Sequence, residues 1–195
     1  VQAFGNLYSE LSIPWKVVSN ESDFDHVTHI ILPGVGSFDY AMTLIDESGL
    51  RGRLDHLVLN VKIPVLGVCI GMQMMGKKSE EGQLSGLGWL DATSKRIEFN
   101  PEDHLKALPL PHMGWNTIHI RQTSSLLNDI EASEYFYFLH SYFLSCNDPD
   151  IILAEAKYGA TVTSLVRQEN IYGIQQHPEK SHDAGVKLLR NFASI

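Results

Sequence analysis

The segment VLGVCIGMQMM at residues 65–75 constrains the fold of this chain more than any other part of the sequence. The run 63–68 is apolar and rich in β-branched residues, as expected of a strand buried on both faces of a parallel sheet. It leads directly into Cys69, which small residues flank in the order G-x-C-x-G. Glycines at these positions are typical of a sharp strand-to-helix turn that projects a nucleophile. The segment therefore predicts an α/β fold with a reactive thiol at the end of a strand.

The rest of the sequence continues this α/β pattern and divides into two parts. In the first part a helical spacing stops before Pro14, a strand candidate follows at 27–32, and a helical pattern with breaks near Gly49 and Gly52 covers 38–60. The second part contains short β-branched and aromatic segments and a final helical pattern, at 93–99, 113–120, 135–146, 151–158, 161–168, 171–176 and 182–195. We predict one domain over 1–195, with a mostly parallel central sheet flanked by helices and an antiparallel extension.

Composition and charge exclude several classes of protein. The 195 residues carry a formal net charge of −8 without clustered Lys and Arg, so nucleic acid is not an expected partner. With no long apolar run and no signal-like segment, we expect no membrane span and a cytoplasmic location. Cys69 and Cys146 are expected to be free thiols. Because no metal-ligand spacing accompanies either cysteine, we predict no metal site, and nothing in the sequence calls for a cofactor.

Cys69 is the first candidate for catalytic chemistry. After a strand-to-helix turn its sulfur would lie near a helix N-terminus, where partial positive charge favours the thiolate. The backbone N–H of Ile70 would then be placed to stabilise an oxyanion. A buried, inert cysteine explains this segment equally well when the segment is considered alone.

The segment GIQQHPEKS at 173–181 contains the second candidate. His177 and Glu179 flank Pro178, which restricts the backbone at this point. A carboxylate can orient a histidine that moves a proton between a thiol and a leaving amine. Taken alone, the tripeptide fits a surface loop with solvated side chains. Together with Cys69 it predicts a Cys-His-Glu triad that attacks an amide.

A glycine-rich turn and two aromatic segments complete a pattern that extends over the whole chain. The turn PGVGSF at 33–38 would let backbone amides approach an oxyanion, although many α/β strands end in such turns for geometry alone. With GVCIGMQ, PHMGWN (111–116), YFLHSYF (137–143) and GIQQHPEKS, it occurs in the order and at roughly the separations seen in class I glutamine amidotransferases. From Val1 to Ile195 the chain resembles this family. The PHMGWN and HSYF segments resemble most the glutaminase subunits of imidazole glycerol phosphate synthases.

This resemblance implies roles for individual residues. Cys69 is similar to the family's nucleophile, His177 to its general acid and base, and Glu179 to the carboxylate that orients the histidine. Besides Ile70, the residues similar to the glutamine and oxyanion site are Gly34, Val35, Gly36, Gln73, His140, Ser141 and Tyr142. Those similar to the surface that docks a (β/α)8-barrel cyclase are Met113, Gly114, Trp115, Asn116 and Lys180. A core position for Trp115 and a solvated one for Lys180 fit the sequence as well.

The resemblance also implies an activity and a partner. It implies that ammonia is released from glutamine and passed, within a heterodimer, to a cyclase that makes imidazole glycerol phosphate and aminoimidazole carboxamide ribotide in histidine biosynthesis. One alternative is the same chemistry feeding a sugar amidotransferase of surface-polysaccharide synthesis. Another, from a different class, is a regulatory or binding subunit without catalysis.

Two features depart from the family pattern. The family begins with a strand and a Gly-Asn turn before its first helix, and no such strand precedes the helix that begins near Val1. We therefore expect the sheet to lack its first strand and the sequence to be a fragment of a longer gene product. Gln176 stands where the family usually carries an aromatic residue, so we expect altered packing beside an intact triad.

Overall fold

The computed structural model describes residues 1–99 and 108–195, and within these ranges the chain forms five α-helices and eleven β-strands. The helices are α1 (Gln2–Glu10), α2 (Phe38–Glu47), α3 (Arg51–Asp55), α4 (Ile70–Met74) and α5 (His182–Phe192). The strands are β1 (Ile30–Gly34), β2 (Val65–Cys69), β3 (Lys78–Ser79), β4 (Ala92–Arg96), β5 (His112–Thr117), β6 (His119–Ile120), β7 (Tyr135–His140), β8 (Tyr142–Cys146), β9 (Ile152–Tyr158), β10 (Ala160–Gln168) and β11 (Ile171–Ile174).

The central sheet has six strands in the order β1-β2-β11-β10-β9-β6. Its second strand, β2, runs parallel to both neighbours, β1 and β11, and every residue of β2 is buried. This burial on both faces explains the continuous apolar run that precedes Cys69. The strands β10, β9 and β6 add antiparallel pairs on one side of the sheet. The predicted α/β fold with an antiparallel extension is confirmed. Among the described residues, however, the central sheet is mixed and not mostly parallel, because two of its strand pairs are parallel and three are antiparallel.

Two smaller sheets bring the second half of the chain against the end of β2. One has the order β3-β4-β8, and the other pairs β5 with β7 in antiparallel register. In the second ladder His112 lies opposite His140, and Tyr137 of β7 also forms a bridge to His177. The β5-β7 pair therefore carries its side chains to the same end of the central sheet as the carboxyl ends of β2 and β11.

The first half of the chain differs from the prediction in detail. The strand predicted at 27–32 begins at Ile30 and continues through Gly34, because the parallel ladder with β2 extends to Cys69. The helical region 38–60 breaks at Gly49, which has a φ of +72°, whereas Gly52 lies inside α3. The chain then continues as a π-helical turn over His56–Val61. The histidine at position 104, for which no metal-binding role was expected, lies outside the described residues.

Helices pack against the central sheet, with α4 in contact with β1, β2 and β11. The α1 and α5 helices lie side by side, and the Tyr8 hydroxyl donates a hydrogen bond to the Leu189 carbonyl at 3.2 Å. The predicted final helix is confirmed, with Leu188, Leu189 and Phe192 buried on one face. Among the residues that the structure describes, no helix is both long and apolar enough to cross a membrane.

Candidate active site

Cys69 lies at the turn between β2 and α4, in a backbone conformation that few non-glycine residues adopt. Its φ is 54° and its ψ is −112°. Holding a side chain in such a conformation costs about 1–3 kcal/mol, and this strain is found mainly where function requires a particular side-chain direction. The side chain is buried, and within the described part of the chain both Cys69 and Cys146 are free thiols. The turn predicted from the G-x-C-x-G pattern is therefore present in the structure.

Three glycines allow this turn to pack tightly. A Cβ atom on Gly71 would lie 1.8 Å from the Leu32 carbonyl oxygen, and one on Gly34 would lie 2.4 Å from the Gly71 nitrogen. A Cβ atom on Gly67 would lie 2.7 Å from the Gly71 oxygen. Since all these neighbours are backbone atoms, no side-chain rotation would make room for a methyl group. The glycines therefore fix the position of α4, and with it the position of Cys69.

His177 is held beside Cys69 by backbone contacts on both sides. The His177 N–H donates to the Tyr137 carbonyl at 2.8 Å, and the Ser181 hydroxyl donates to the His177 carbonyl at 2.6 Å. The same hydroxyl accepts a hydrogen bond from the Tyr137 N–H at 3.0 Å. The His177 side chain meets Glu179 at 2.9 Å between Nδ1 and Oε1, and both side chains are almost fully buried. His177 also forms a side-chain hydrogen bond with Cys69, so the three residues predicted as a triad lie together.

The electrostatics of His177 favour its protonated form. Burial lowers the pKa of the imidazole, but hydrogen bonds and charge interactions with Cys69 and Glu179 outweigh burial and raise this pKa to about 9. In contrast, burial raises the pKa of the Cys146 thiol to about 12. Cys146 lies half-buried in β8, in agreement with the packing role expected for it. An imidazolium beside Cys69 can stabilise a thiolate and later donate a proton.

A buried network of amides connects Cys69 to the β7-β8 turn. Gln73 Nε2 donates to the Tyr142 carbonyl at 2.8 Å and to Gln175 Oε1 at 3.0 Å, and the Ser94 hydroxyl donates to Gln73 Oε1 at 3.2 Å. The Gln175 Nε2 group lies 3.7 Å from the Cys69 sulfur. Gln73 is expected from the sequence to contact a substrate. In the structure its side chain is buried and its polar atoms are engaged within the protein.

A second buried chain of hydrogen bonds starts from the same Tyr142 carbonyl. His140 Nδ1 lies 2.9 Å from this carbonyl, and His140 Nε2 lies 3.2 Å from His112 Nδ1. Burial lowers the pKa of His140 to about 3 and that of His112 to about 4, so both imidazoles are neutral near neutral pH. Because a carbonyl only accepts, His140 carries its proton on Nδ1, and His112 donates to its Nε2. Asn116 Nδ2 then donates to His112 Nε2 at 3.3 Å and to the Lys157 carbonyl at 2.8 Å.

Of the remaining residues predicted for the glutamine and oxyanion site, Gly34 and Ile70 lie directly beside Cys69. Gly34 is the ladder partner of Cys69 in the β1-β2 pair, and Ile70 is the first residue of α4. The next two residues of the turn extend outward, with Val35 73% exposed and Gly36 at a φ of +96°. The side chains at 141 and 142 are half-buried at the start of β8. The ladder therefore brings the glycine-rich turn next to the strand-to-helix turn at Cys69.

An exposed surface, which we call the β5 patch, lies next to the triad. It consists of Met113, Trp115, Tyr135, Lys180 and His182. Met113 is 64% exposed and Trp115 is 46% exposed, although the Trp115 ring stacks on His182 with ring centres 5.0 Å apart. Lys180 is exposed, with Nζ 5.6 Å from the centre of the Tyr137 ring. Two other residues were predicted to dock a partner. Gly114 lies between Met113 and Trp115 in β5, at a φ of +130°, and Asn116 directs its side-chain amide inward to the Lys157 carbonyl.

Three polar residues of the site were not identified from the sequence. Gln175 lies in the GIQQHPEKS segment, yet only the tertiary structure places it on the Cys69 sulfur. His112 lies in PHMGWN without any metal-ligand spacing, and Ser94 lies in a strand with no distinctive pattern. These three residues differ from surface polar residues in being buried, and a single amino-acid sequence does not show whether one particular polar residue is buried.

Comparison with known proteins relates this chain to one family. The chain matches the family model described as glutamine amidotransferase class-I over residues 4–195. It is 47% identical to the imidazole glycerol phosphate synthase subunit HisH of Bdellovibrio bacteriovorus and 45% identical to that of Leptospira borgpetersenii. Each alignment covers 100% of this chain and 95% of the relative.

Solved structures show the same fold at lower identity. One, described as a glutamine amidotransferase, superposes with a TM-score of 0.74 at 18% identity and covers 100% of this chain and 94% of its own. A second, described as a putative GMP synthase component from Thermoplasma acidophilum, has a TM-score of 0.69 at 20% identity, covering 97% and 84%. These two comparisons support the fold.

Proposed function

The chain belongs to the class-I glutamine amidotransferase family, and from this premise we propose that it hydrolyses the side-chain amide of glutamine to glutamate and ammonia. The observation that carries this proposal is the arrangement of Cys69 on a strained turn beside the buried His177–Glu179 pair. We take 1–195 as one amidotransferase domain, because a single hydrophobic cluster includes side chains from α1 to α5.

The geometry supports a two-step reaction through a thioester. The Cys69 thiolate attacks the amide carbon of glutamine, and the developing oxyanion is stabilised by backbone N–H groups at Ile70 and in the glycine-rich turn at 34–36. The imidazolium of His177 protonates the amide nitrogen, the carbon–nitrogen bond breaks and ammonia leaves. Neutral His177 then removes a proton from water, whose oxygen attacks the thioester. Glutamate leaves, and the Cys69 thiolate and the His177 imidazolium are restored.

We propose that the ammonia is passed to a (β/α)8-barrel cyclase subunit of imidazole glycerol phosphate synthase, in histidine biosynthesis. Relatives that are aligned over the whole chain bear the name of this synthase's HisH subunit. The β5 patch supports a docking partner, because aromatic and methionine side chains are enriched in interfaces. Passage through an interface would also keep ammonia from being protonated in water. The free thiol of Cys69 fits a reducing compartment such as the cytoplasm.

Ammonia release from glutamine tests the proposed chemistry. The chain is assayed alone and with a co-expressed cyclase, as wild type and as the variants Cys69→Ala and Cys146→Ala. We expect Cys69→Ala to lose the activity and Cys146→Ala to retain it within about twofold, because Cys146 lies in β8 and only packs. Equal ammonia release by Cys69→Ala and wild type would mean that Cys69 is not the nucleophile.

Growth of a histidine auxotroph that lacks its own glutaminase subunit tests the proposed acceptor. Restored growth by the wild-type chain, but not by Cys69→Ala, supports delivery of ammonia to the histidine pathway. If the chain is an active glutaminase and growth still fails, the acceptor is another enzyme, for which a sugar amidotransferase is the next assay.

A further inference from the structure

We propose that Gln175 is a further catalytic residue of this site, which donates its side-chain N–H to the Cys69 sulfur and stabilises the thiolate. This inference rests on the proposed glutaminase function. Gln175 follows β11 directly and is fully buried, and its Nε2 lies 3.7 Å from Cys69 Sγ. The proton stays on the amide throughout, so the group acts as a fixed donor to a sulfur whose charge changes during the reaction.

The orientation of the Gln175 amide follows from its neighbours. The Tyr142 carbonyl only accepts hydrogen bonds, so the group of Gln73 that faces it at 2.8 Å is the NH2 group. The second hydrogen of this NH2 group points to Gln175 at 3.0 Å, so Gln175 presents its oxygen to Gln73. Its own NH2 group therefore faces the sulfur. The Ser94 hydroxyl satisfies the remaining oxygen of Gln73, at 3.2 Å, and completes the only consistent assignment.

The surroundings of the sulfur make this donor important. The Leu139 carbonyl oxygen lies 3.9 Å from Sγ, where it can accept from a thiol but repels a thiolate. The titratable side chains at the site are His177, whose raised pKa favours the imidazolium, its carboxylate partner Glu179, and His140, whose lowered pKa favours the neutral ring. Among the described residues, the Gln175 N–H is, besides the imidazolium, the side-chain donor that contacts this sulfur, and it favours the charged form of the nucleophile. Because Cys69 is buried, water contributes little to its solvation.

The alternative is that Gln175 only joins β11 to α4. A linking role would change stability, whereas a donor role also changes how readily Cys69 forms a thiolate. Hydrogen bonds to charged groups shift the pKa of the acceptor by about one unit or more, which corresponds to about a tenfold change in the thiolate fraction below that pKa. The pH dependence of thiol alkylation measures this quantity without any glutamine being present.

The experiment measures iodoacetamide alkylation of Cys69 against pH, followed by mass spectrometry of the Cys69 peptide. It compares wild type with Gln175→Met, which keeps the length of the side chain and removes the donor, and with the matched control Gln176→Met. Gln176 is also fully buried, and its Oε1 accepts from the Ser164 hydroxyl at 2.8 Å, away from Cys69. We expect Gln175→Met to raise the alkylation pKa by about one unit and Gln176→Met to leave it unchanged.

A second variant covers the case in which Gln175→Met does not fold. Gln175→Glu keeps the oxygen that Gln73 requires and replaces the N–H group by a second oxygen, so we expect it to raise the alkylation pKa as well. Equal alkylation profiles for wild type and either folded Gln175 variant, or equal shifts in the Gln175 and Gln176 variants, would overturn the proposal. If no variant and no wild-type sample hydrolyses glutamine, the proposed function fails, but the alkylation profiles still decide the role of Gln175.

Discussion

Replacing Gly71 by alanine would place a methyl carbon against the backbone of β1. The new Cβ would lie 1.8 Å from the Leu32 carbonyl oxygen, and ordinary contact begins at 3.4 Å, so α4 and β1 would have to separate by 1.6 Å (3.4 − 1.8). Overpacking of this kind typically costs about 1–3 kcal/mol. We expect about 3 kcal/mol for Gly71→Ala, because the atoms that the new methyl group meets belong to the backbone and cannot rotate away. Displacement of α4 also moves Ile70 and Cys69. A misplacement of about 1 Å can lower a rate about 100-fold, which is the loss of kcat we expect.

Urea unfolding and glutaminase kinetics check this expectation. The control is Gly52→Ala in α3, where an added Cβ meets nothing within 4 Å. Because alanine favours a helix over glycine, we expect Gly52→Ala to stabilise the protein by up to about 1 kcal/mol and to leave kcat unchanged. The reasoning fails if Gly71→Ala unfolds at the same urea concentration as wild type and keeps more than half of its kcat.

Charges and exposed groups give three further predictions. Because the pKa of His177 is raised, its contribution to stability is fully present below pH 6.5 and is lost as the pH rises through about 9. We expect kcat/KM to fall over the same upper pH range, because the imidazolium is needed to protonate the leaving ammonia. Glu179→Gln should move this fall to lower pH. The pKa of His112 is lowered from 6.5 to about 4, so as the pH falls, His112 in the unfolded chain is protonated before His112 in the folded protein. Proton binding therefore favours the unfolded chain, and stability on the order of 3 kcal/mol is lost as the pH falls from 6.5 to 4. His112→Gln should flatten this part of the urea-unfolding pH profile. For Trp115→Ala, we expect weaker binding to the co-expressed cyclase, by at least about tenfold in Kd, with little change in the unfolding midpoint, because the ring is exposed.

Each of these predictions has a control. For His177, the control is the folded variant Glu179→Gln. If its kcat/KM falls over the same pH range as that of wild type, the Glu179 carboxylate does not raise the pKa of the imidazole. For His112, the exposed His119 provides the matched variant His119→Gln, and equal slopes in the two variants would contradict a role for burial. For Trp115, the matched variant is at the half-exposed Trp15, whose ring lies against Gly5 of α1, and equal loss of cyclase binding in Trp15→Ala and Trp115→Ala would argue against the β5 patch as the docking surface.

Local patterns in the sequence were sufficient to predict the strand-to-helix turn at Cys69 and to identify His177 and Glu179 as candidates that the structure places beside it. The turn at Cys69 requires small residues on both sides, and because these residues lie within a few positions of Cys69, the requirement leaves a visible pattern in the sequence. The same holds for the buried strand β2, whose apolar run reports burial on both faces. The order of the motifs along the chain then identified the family. Element boundaries were less accurate, since the start of β1 depends on its ladder with β2.

The tertiary structure alone decided which polar side chains meet at Cys69. Gln73, Gln175 and the Tyr142 carbonyl are far apart in sequence, and their contacts depend on how β2, β8 and β11 lie relative to one another. The inward direction of Asn116 likewise depends on its position beside His112 and β9. Local rules fix where a chain turns, because they act through neighbouring backbone atoms. Hydrogen-bond partners across strands depend on sheet register, and no short stretch of sequence contains the register between distant strands.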